Sequence, residues 1–482
     1  MLVILGFSMI TIFMYLILSK RLTPVAALIL VPTVFGLFAG AGLGLSDMIM
    51  TSLLKLAPTA ALLFFAITFF GIMIDVGLFD PLIRLILRFA RNDPLRLVVG
   101  TALLTSVVSL DGDGSTTFII VTSALLPIYL RLGMSPVVLT VVAATANGVL
   151  NTVPWGGSTA RAAAALDVSP IDIFVPMIPA IAAGLLAVLV LAFFLGRSER
   201  KRLGVVELDP DSTDPETQHA HSEVLIGVGA GHGGDRTGGD GTGPDRRATG
   251  SSGDGVDDDH SDVADPPTIG DHLERPNARP KLIWFNLALT VAVMTLLVIG
   301  LLEPPVILMI GTAIALVVNF PRVAEQSEQL KAHSSSVVSV VSLVFAASVL
   351  TGVLNGTGMI EDMARWLVDI IPASFGPHLP IVAGVLSLPL TYFMSNDAFF
   401  FGVLPVLTET ASHYGITGEE MARAAIIGQP LHTSSPLVAA FLLLVGLAKV
   451  ELADHSKKAI WRACVVGLIM LGVGGLVAAF PI

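Results

Sequence analysis

The sequence predicts an all-α polytopic membrane protein made of two inverted-topology repeats, each with about five spanning helices and one re-entrant hairpin. Three observations lead to this prediction. Hydrophobic residues make up 54% of the 482 residues and charged residues only 13%, where a soluble domain carries about 25%. Long apolar runs follow one another along the chain. Two halves with a shared sequence pattern flank one hydrophilic segment.

The first half, residues 1–196, contains seven apolar runs. Two short ones flank a polar break and predict a re-entrant hairpin over about 95–130. The next predicts a broken helix over 136–165, because a second polar break interrupts it. A complete span needs about 20 apolar residues, which several runs lack. The runs fall at 2–18, 24–43, 57–77, 95–108, 116–130, 136–154 and 172–196. The N-terminal run has no basic n-region or cleavage site, so we expect a retained span.

The second half, residues 281–482, follows the same plan, with a hairpin predicted over about 378–410 and a broken helix over 420–448. Its apolar runs fall at 282–301, 304–320, 335–356, 378–393, 399–408, 420–428, 436–448 and 460–480. A plain hydropathy count gives about twelve helices, because each hairpin arm can score as a span.

Residues 197–280 separate the halves, and their Gly, Asp, Ser and Thr residues cannot bury enough apolar surface to fold. We therefore predict a disordered linker. On either side of it, "GIMIDVGLFDPLIR" (71–84) aligns with "GVLNGTGMIEDMAR" (352–365), and "PWGGSTA" (154–160) with "PLHTSSP" (430–436). Paired segments interrupted by Gly and Pro at corresponding places indicate a secondary transporter.

Charge orients the repeats. Five crossings per half make the halves inverted and place both termini on one side. With the termini outside, 20 of the 27 lysines and arginines lie inside and 3 outside, leaving aside Arg161 and three linker arginines. The positive-inside rule therefore predicts a cytoplasmic linker. Cys464 is the only cysteine, which excludes an intramolecular disulfide. With no basic patch interleaved with aromatic residues, we predict no nucleic-acid partner.

Four polar breaks interrupt the apolar segments: "SLDGDGSTT" (109–117), "NTVPWGGSTAR" (151–161), "MSNDAFF" (394–400) and "GQPLHTSSP" (428–436). A helix that begins within the membrane offers free N–H groups and a positive dipole end, which suit an anion. We expect Ser158 and Thr159 to cap one half-helix, and Ser434 and Ser435 to cap another before Pro436. Packed kinks are the alternative for each break. The candidate substrate-binding residues are Ser115, Thr116, Asn151, Thr152, Gly156, Gly157, Ser158, Thr159, Arg161, Ser395, Asn396, His432, Thr433, Ser434 and Ser435.

Arg161 follows the second break and begins an apolar stretch, "RAAAALDV". A cation at mid-membrane costs at least about 2.5 kcal/mol on insertion scales, so it needs a partner. Arg binds carboxylates bidentately, which predicts a carboxylate clamp. The alternative is an internal salt bridge, with Asp111 or Asp113 as partner.

Carboxylates beside an anion site are consistent with a cargo that carries a hard cation, which takes oxygen ligands. The candidate metal ligands are Asp111, Asp113, Asn396 and Asp397. The same groups can carry a coupling proton if burial neutralises them. The candidate proton carriers are Asp111, Asp113, Asp397 and His432, although His432 can equally be a hydrogen-bonded buried histidine.

The motifs "FGIMIDVGLFDPLIR", "SLDGDGSTT", "PWGGSTARAAAAL" and "SNDAFFFGVLPVL" resemble the CitMHS family over nearly the whole chain except 197–280. These are proton-coupled symporters of divalent metal–citrate complexes within the ion transporter superfamily. The resemblance implies a plasma (inner cell) membrane homodimer with a scaffold domain, an elevator-type transport domain, and Mg²⁺ or Ca²⁺ in the cargo rather than a permanent cofactor. Superfamily relatives often bind sodium at Ser-Asn-Thr tips, whereas these tips read Ser-Leu-Asp-Gly-Asp-Gly-Ser and Ser-Asn-Asp.

Two other functions are compatible with some of these features. A cation- or proton-coupled carrier of another di- or tricarboxylate, or of a further organic anion, would use the same breaks. An intramembrane aspartyl protease would use paired carboxylates, as in "LDGDG". Both aspartates sit in one turn there, and a repeat has no use in such an enzyme. We therefore predict a transporter rather than an enzyme.

Overall fold

The structure, a computed structural model, describes residues 1–19, 21–81, 84, 85, 88, 93–112, 114–203, 277–371 and 374–482. For residues 18 and 111 it describes the backbone alone. Within these ranges the regular structure is helical, with no strand. Asp113 and the predicted linker from residue 204 to 276 lie outside the described residues.

The first half forms helices whose starts follow capping chemistry. Thr23 accepts a hydrogen bond from the Ala26 N–H ahead of Pro24, and Asp93 does the same for Leu95 ahead of Pro94. Pro at the first helical position suits a helix start, because its missing N–H has no partner there anyway. The helices are α1 (Leu2–Leu18), α2 (Pro24–Phe38), α3 (Leu45–Asp75), α4 (Pro94–Val108), α5 (Gly114–Arg131), α6 (Pro136–Leu150), α7 (Gly157–Leu166) and α8 (Pro170–Leu203).

The described residues of the second half form a further series of helices. They are α9 (Ile283–Ile299), α10 (Pro304–Asn319), α11 (Val323–Ala332), α12 (Ser334–Gly356), α13 (Met359–Ile370), α14 (Leu379–Phe393), α15 (Leu404–Ser412), α16 (Gly418–Ala425), α17 (Gln429–His432), α18 (Ala439–Leu447) and α19 (Leu452–Leu476). The turn Asn396–Ala398 and a π-helical segment, Phe399–Val403, lead directly into α15. Whether the halves are inverted stays a prediction.

Six helical stretches of the described chain are long and apolar enough to cross a membrane. They are Gly44–Asp75, Gly114–Arg131, Pro170–Leu203, Pro280–Ile299, Ser334–Gly356 and Leu452–Leu476. Five shorter apolar helices accompany them, namely α1, α2, α4, α6 and α10. Together these are eleven apolar helices in the described chain, close to the hydropathy count of about twelve. Only six are long enough to span, because turns and polar breaks divide several apolar runs into pieces shorter than about 20 residues.

The helices pack into two groups, and each group draws on both halves of the sequence. The first group contains α1–α3 and α9–α13, and in it α12 packs along α3 and α2. The second contains α4–α8 and α14–α19, where α8 packs on α4 and α19. Helix α7 contacts α12 and α3, and α13 contacts α15, so the two groups adjoin in one compact unit.

Close contact between α3 and α12 depends on glycine. A Cβ built on Gly352 would lie 2.7 Å from the Met48 carbonyl oxygen, so a larger side chain would push the helices apart. Polar pairs add specific contacts within the same group. The Ser52 and Thr351 hydroxyls are 2.6 Å apart across this interface. Asn286 and Asn319 exchange two amide hydrogen bonds of 2.8 and 2.9 Å between α9 and α10.

Helix α8 continues to Leu203, past the predicted start of the linker at residue 197. The reason is a buried acid in its charged last turns. Glu199 accepts hydrogen bonds from the Ser135 N–H at 3.1 Å and from Arg202 at 2.7 Å. These bonds attach the end of α8 to the start of α6, so polar composition alone misplaced the boundary.

Candidate functional site

The second break joins α6 to α7, and Asn151 organises it. Its side-chain oxygen accepts a hydrogen bond from the Gly157 N–H at 3.0 Å. Its backbone oxygen accepts one from the Ser158 hydroxyl at 2.7 Å, and the Thr152 carbonyl accepts one from Thr159 at 2.9 Å. These bonds fasten the first turn of α7 to the last turn of α6.

This geometry corrects the predicted role of Ser158 and Thr159. The N-cap of α7 is Gly156, and the two hydroxyls lie inside the first turn, where they donate to carbonyls. A Cβ on Gly156 would lie within 3.0 Å of the Val153 carbonyl oxygen, so this position requires glycine. The caps were mispredicted because the chain turns more tightly after Pro154 than its residue types reveal.

Arg161 forms an ion pair with Asp397, with its Nε 2.5 Å from the carboxylate oxygen Oδ1. Its Nη1 donates to the Gly157 carbonyl at 2.7 Å. The Arg161 side chain is 25% exposed and that of Asp397 is 11% exposed, so the pair is largely withdrawn from solvent. Of the two alternatives for Arg161, the structure places an acidic partner beside it. That partner is Asp397, from the other half of the chain. The aspartates named in the alternative, Asp113 and the side chain of Asp111, lie outside the described residues.

Gln429 draws three of the breaks together, and the sequence analysis missed it. Its side-chain oxygen accepts hydrogen bonds from Asn151 at 2.9 Å and from Asn396 at 3.2 Å, and its amide nitrogen donates to the Asn396 oxygen at 3.1 Å. Gln429 is fully buried. Its position in "GQPLHTSSP", the only amide of the fourth break, was a signal that could have identified it.

The third break places its polar residues on one short turn. Ser395 is the N-cap, and its hydroxyl accepts a hydrogen bond from the Ala398 N–H at 3.2 Å. Asn396 and Asp397 follow it, and both are buried. Adjacent positions thus present an amide to Gln429 and a carboxylate to Arg161.

Side chains of the fourth break form hydrogen bonds to backbone carbonyls of neighbouring helices. His432 Nδ1 lies 2.6 Å from the Thr391 carbonyl oxygen, which can only accept, so this nitrogen carries a hydrogen. The Thr433 hydroxyl donates to the Ala144 carbonyl at 2.8 Å. Ser435 donates to the Tyr392 carbonyl at 2.6 Å. These contacts hold α17 against α6 and α14.

Helix α18 begins at Ala439, with Val438 as its N-cap, so Ser434 and Ser435 do not cap it. Turn residues fill the interval after His432 instead. Ser434 contacts His455 of α19, which the sequence analysis also missed. His455 is fully buried, with its Nε2 3.2 Å from the Ser434 hydroxyl and its Nδ1 3.0 Å from the Thr140 hydroxyl.

The first break lies between α4 and α5 and turns at Gly112, whose φ is 79°, a value that glycine adopts readily. Trp155 donates from its indole nitrogen to the Leu110 carbonyl at 2.8 Å, and Asn147 donates to the Ser109 hydroxyl at 3.0 Å. The first two breaks therefore lie side by side. Ser115 and Thr116 are in the first turn of α5.

The candidate metal ligands and proton carriers lie only partly within the described residues. Asp113 and the side chain of Asp111 lie outside the described residues. Within the described part of the chain, no group of three or more His, Cys, Asp or Glu side chains could hold a metal ion. What the site offers there is one cation and one carboxylate in contact, beside a network of amides. Such a pair can bind a ligand that carries both a negative and a positive group.

The chain matches known transporters along its length. A family model described as "Citrate transporter" (CitMHS) matches residues 4–428. A Bacillus subtilis (strain 168) protein named "Citrate transporter" is 45% identical over 471 residues, covering 98% of this chain and 97% of its own. Another from that strain, named "Mg(2+)/citrate complex secondary transporter", is 43% identical over 483 residues and is covered completely, as is this chain.

Among solved structures, the YdaH transporter of Alcanivorax borkumensis is 14% identical to this chain. The alignment covers 89% of this chain and 86% of that one, with a TM-score of 0.44. A likeness at that level supports no argument about the arrangement of helices or the mechanism.

Proposed function

The chain belongs to the CitMHS citrate transporter family, and from this premise we propose that it takes up citrate as a complex with a divalent metal ion of the Mg²⁺ or Ca²⁺ type, in symport with protons. The observation that carries the proposal is the ion pair between Arg161 and Asp397. Fully ionised citrate with one divalent cation has carboxylates for the guanidinium and a metal for the aspartate. A citrate carboxylate would thus take the place of Asp397 beside Arg161, and the metal ion would take the place of Arg161 beside Asp397.

Three polar breaks support a site around this pair. Gln429 connects Asn151 to Asn396, and these two residues adjoin the elements that bear Arg161 and Asp397. Amide oxygens are ligands that hard cations accept, and the hydroxyls and N–H groups of the breaks suit an anion. Seven further candidates would act chiefly by holding the breaks in place: Thr152, Gly156, Gly157, Ser158, Thr159, Ser395 and Thr433.

The coupling proton needs a carrier other than a carboxylate already paired with a cation. Asp397 is paired with Arg161 and would face the metal in the complex, and a proton on its carboxylate would compete with both cations. We therefore assign proton coupling to His432, Asp111 or Asp113. His432 keeps one ring nitrogen on the Thr391 carbonyl, which leaves the other for a proton.

The membrane arrangement that goes with this function has three parts. The first helix group would be the scaffold and dimer surface, and the second would be the moving transport domain. Both termini would lie outside and the linker in the cytoplasm. The strong excess of Lys and Arg on one side of the predicted topology supports that orientation.

Uptake by proteoliposomes tests the proposal. With an inward-directed proton gradient, we expect labelled citrate to accumulate with Mg²⁺ present and to stop when a chelator removes the metal. A protonophore should abolish accumulation against the gradient. Equal uptake in excess chelator would refute the metal part, and uptake indifferent to the protonophore would refute the proton part.

The second candidate, a carrier of another di- or tricarboxylate, is separated by competition. Unlabelled malate, succinate and isocitrate are added in excess while metal and pH are held constant. We expect only compounds that chelate the metal as citrate does to compete. Stronger competition by a dicarboxylate than by citrate itself would favour this second candidate.

A further inference from the structure

A cavity lined mainly by polar residues lies away from the Arg161–Asp397 pair, at the far end of α7. Its volume is about 410 Å³, within the range of about 300–1,000 Å³ that small-molecule sites occupy. It opens between the start of α3 and the end of α12. Its lining residues are Asp47, Met48, Thr51, Ser52, Lys55, Asp167, Thr351, Gly352, Asn355 and Gly356.

This cavity lies on the same seam between α7 and α12 as Arg161. A much smaller gap, of about 10 Å³, adjoins Arg161 itself and is lined by Val340 and Val344 of α12. Asp167 lies six positions after Arg161, and Thr351 lies seven positions after Val344. At 1.5 Å of rise per residue, both helices place the cavity about 10 Å from Arg161. A ligand in the cavity would be one short step from the pair.

The cavity contains an ion pair whose lysine can exchange its partner for a ligand. Lys55 on α3 pairs with Asp167 across the two helix groups, with 3.4 Å between Nζ and Oδ2. The Lys55 side chain is 60% exposed, and exposed ion pairs add little stability, so Lys55 can change partners readily. Asp167 ends α7 with a φ of 58°, a conformation that Asp and Asn tolerate better than most residues.

We propose that this cavity is an access site for the complex of a divalent cation with a tricarboxylate, occupied before the complex reaches Arg161 and Asp397. Lys55 leaves Asp167 and binds a carboxylate of the complex. Oxygens of Asp47 and Thr51 face the water shell of the cation, and Asn355 lies at the rim of the cavity. The inference rests on the proposed function, because it takes the same cargo.

A cysteine at the cavity rim tests the access site without relying on transport. Asn355 is exposed, and Cys464 is the only native cysteine, so Asn355→Cys with Cys464→Ser gives one reactive thiol. The full chain in detergent is labelled with a polar maleimide, with and without Mg²⁺ plus citrate. Occupancy should slow labelling by a factor of 1 + [L]/Kd, about twofold at a ligand concentration equal to Kd.

Further substitutions in this background separate the possibilities. Protection should persist with Arg161→Ala, because the access site does not need the central pair. It should disappear with Lys55→Gln and remain or increase with Asp167→Asn, which frees Lys55 for the ligand. Arg365→Gln is the charge-matched control, since Arg365 pairs with Glu361 and Asp362 on α13, and it should keep full protection.

Three results would overturn the access site: no protection with Arg161→Ala, full protection with Lys55→Gln, or loss of protection with Asp167→Asn as with Lys55→Gln. The last result would mean that the ion pair is only structural. Citrate uptake by the wild-type chain is measured in parallel. Uptake without protection would overturn the access site and leave the proposed function standing. Protection without uptake would overturn the proposed function and leave a binding site for the metal–citrate complex at this cavity.

Discussion

At the scale of single residues, the site depends on pairings between the two halves of the chain. Arg161 and Asp397 are 236 positions apart, and Asn151 and Gln429 are 278 apart. Each pair satisfies a group whose burial would otherwise be costly, because an unpaired charge or amide away from water loses its solvation. Under the proposed function, the same two charges would exchange partners with a cargo that carries both signs of charge.

Replacing Arg161 should affect transport far more than insertion. Arg161→Ala removes a charge-assisted contact worth about 1.5–3 kcal/mol, so we expect citrate uptake to fall about 10- to 100-fold. Arg161→Lys keeps the charge but loses the planar guanidinium, so its citrate uptake should lie between those of the wild type and Arg161→Ala. Uptake per inserted protein is measured, with Arg365→Ala as the control. Normal uptake by Arg161→Ala would remove this residue from the site.

Gln429 should be sensitive to the loss of one donor. Gln429→Glu can still accept from Asn151 and Asn396 but cannot donate to the Asn396 oxygen, and it adds a charge near Asp397. We expect kcat/KM for citrate to fall about tenfold, in line with about 1–3 kcal/mol for an unsatisfied buried group. The control is Gln326→Glu on α11. If both variants transport equally, the amide network does not position the site.

At the scale of elements, the breaks are held by close backbone contact as well as by side chains. A Cβ built on Gly148 of α6 would lie 2.6 Å from the Gln429 carbonyl oxygen and from the Pro430 Cα. The two interrupted helices therefore touch at main-chain level beside the amide network. This closeness explains how short polar segments from both halves can share one site.

A methyl group at Gly148 should therefore separate α6 from α17. We expect Gly148→Ala to lower both citrate uptake and the melting temperature, since backbone atoms cannot move aside as a flexible side chain can. The control is Gly472→Ala on α19, where a Cβ meets nothing within 4 Å. There the gain in helix propensity, about 0.5–1 kcal/mol, should leave stability equal or higher. Equal melting temperatures for the two variants would contradict this view of the contact.

At the scale of the whole molecule, each of the two helix groups contains helices from both halves of the sequence. Helix α7 carries Arg161 in the second group and lies against α12 of the first. The proposed transport movement requires these two helices to slide past each other. The ion pair between Lys55 and Asp167 also crosses this seam.

Cross-linking tests that movement. Ala160→Cys with Val344→Cys, in a Cys464→Ser background, places thiols on either side of the small gap beside Arg161. A short bifunctional maleimide should then arrest citrate uptake, and a cleavable version should restore it on cleavage. The control joins Asn286→Cys to Asn319→Cys within the first group and should leave uptake unchanged. Unimpaired uptake by the α7–α12 cross-linked protein would exclude sliding at this seam.

Several features followed from local sequence. Apolar runs indicated the helices, and the polar breaks indicated where α4, α6 and α14 end. The family motifs predicted the citrate transporter family, which the comparisons confirm. The fifteen candidate residues of the breaks were chosen by residue type, and their part in substrate binding stays a prediction. Their roles were less accurate: Ser158, Thr159, Ser434 and Ser435 do not cap helices, because cap geometry depends on the path of the chain after each proline.

The sequence by itself determined the class of protein, the helical segments and the presence of Arg161 among small apolar residues. Each of these depends on composition or on neighbours along the chain, which a single sequence displays. Only the tertiary structure decided that Arg161 pairs with Asp397, that Gln429 joins Asn151 to Asn396, and that Lys55 meets Asp167 beside a cavity. Several carboxylates and amides could have satisfied these groups equally well, and the packing of helices distant in sequence selects among them.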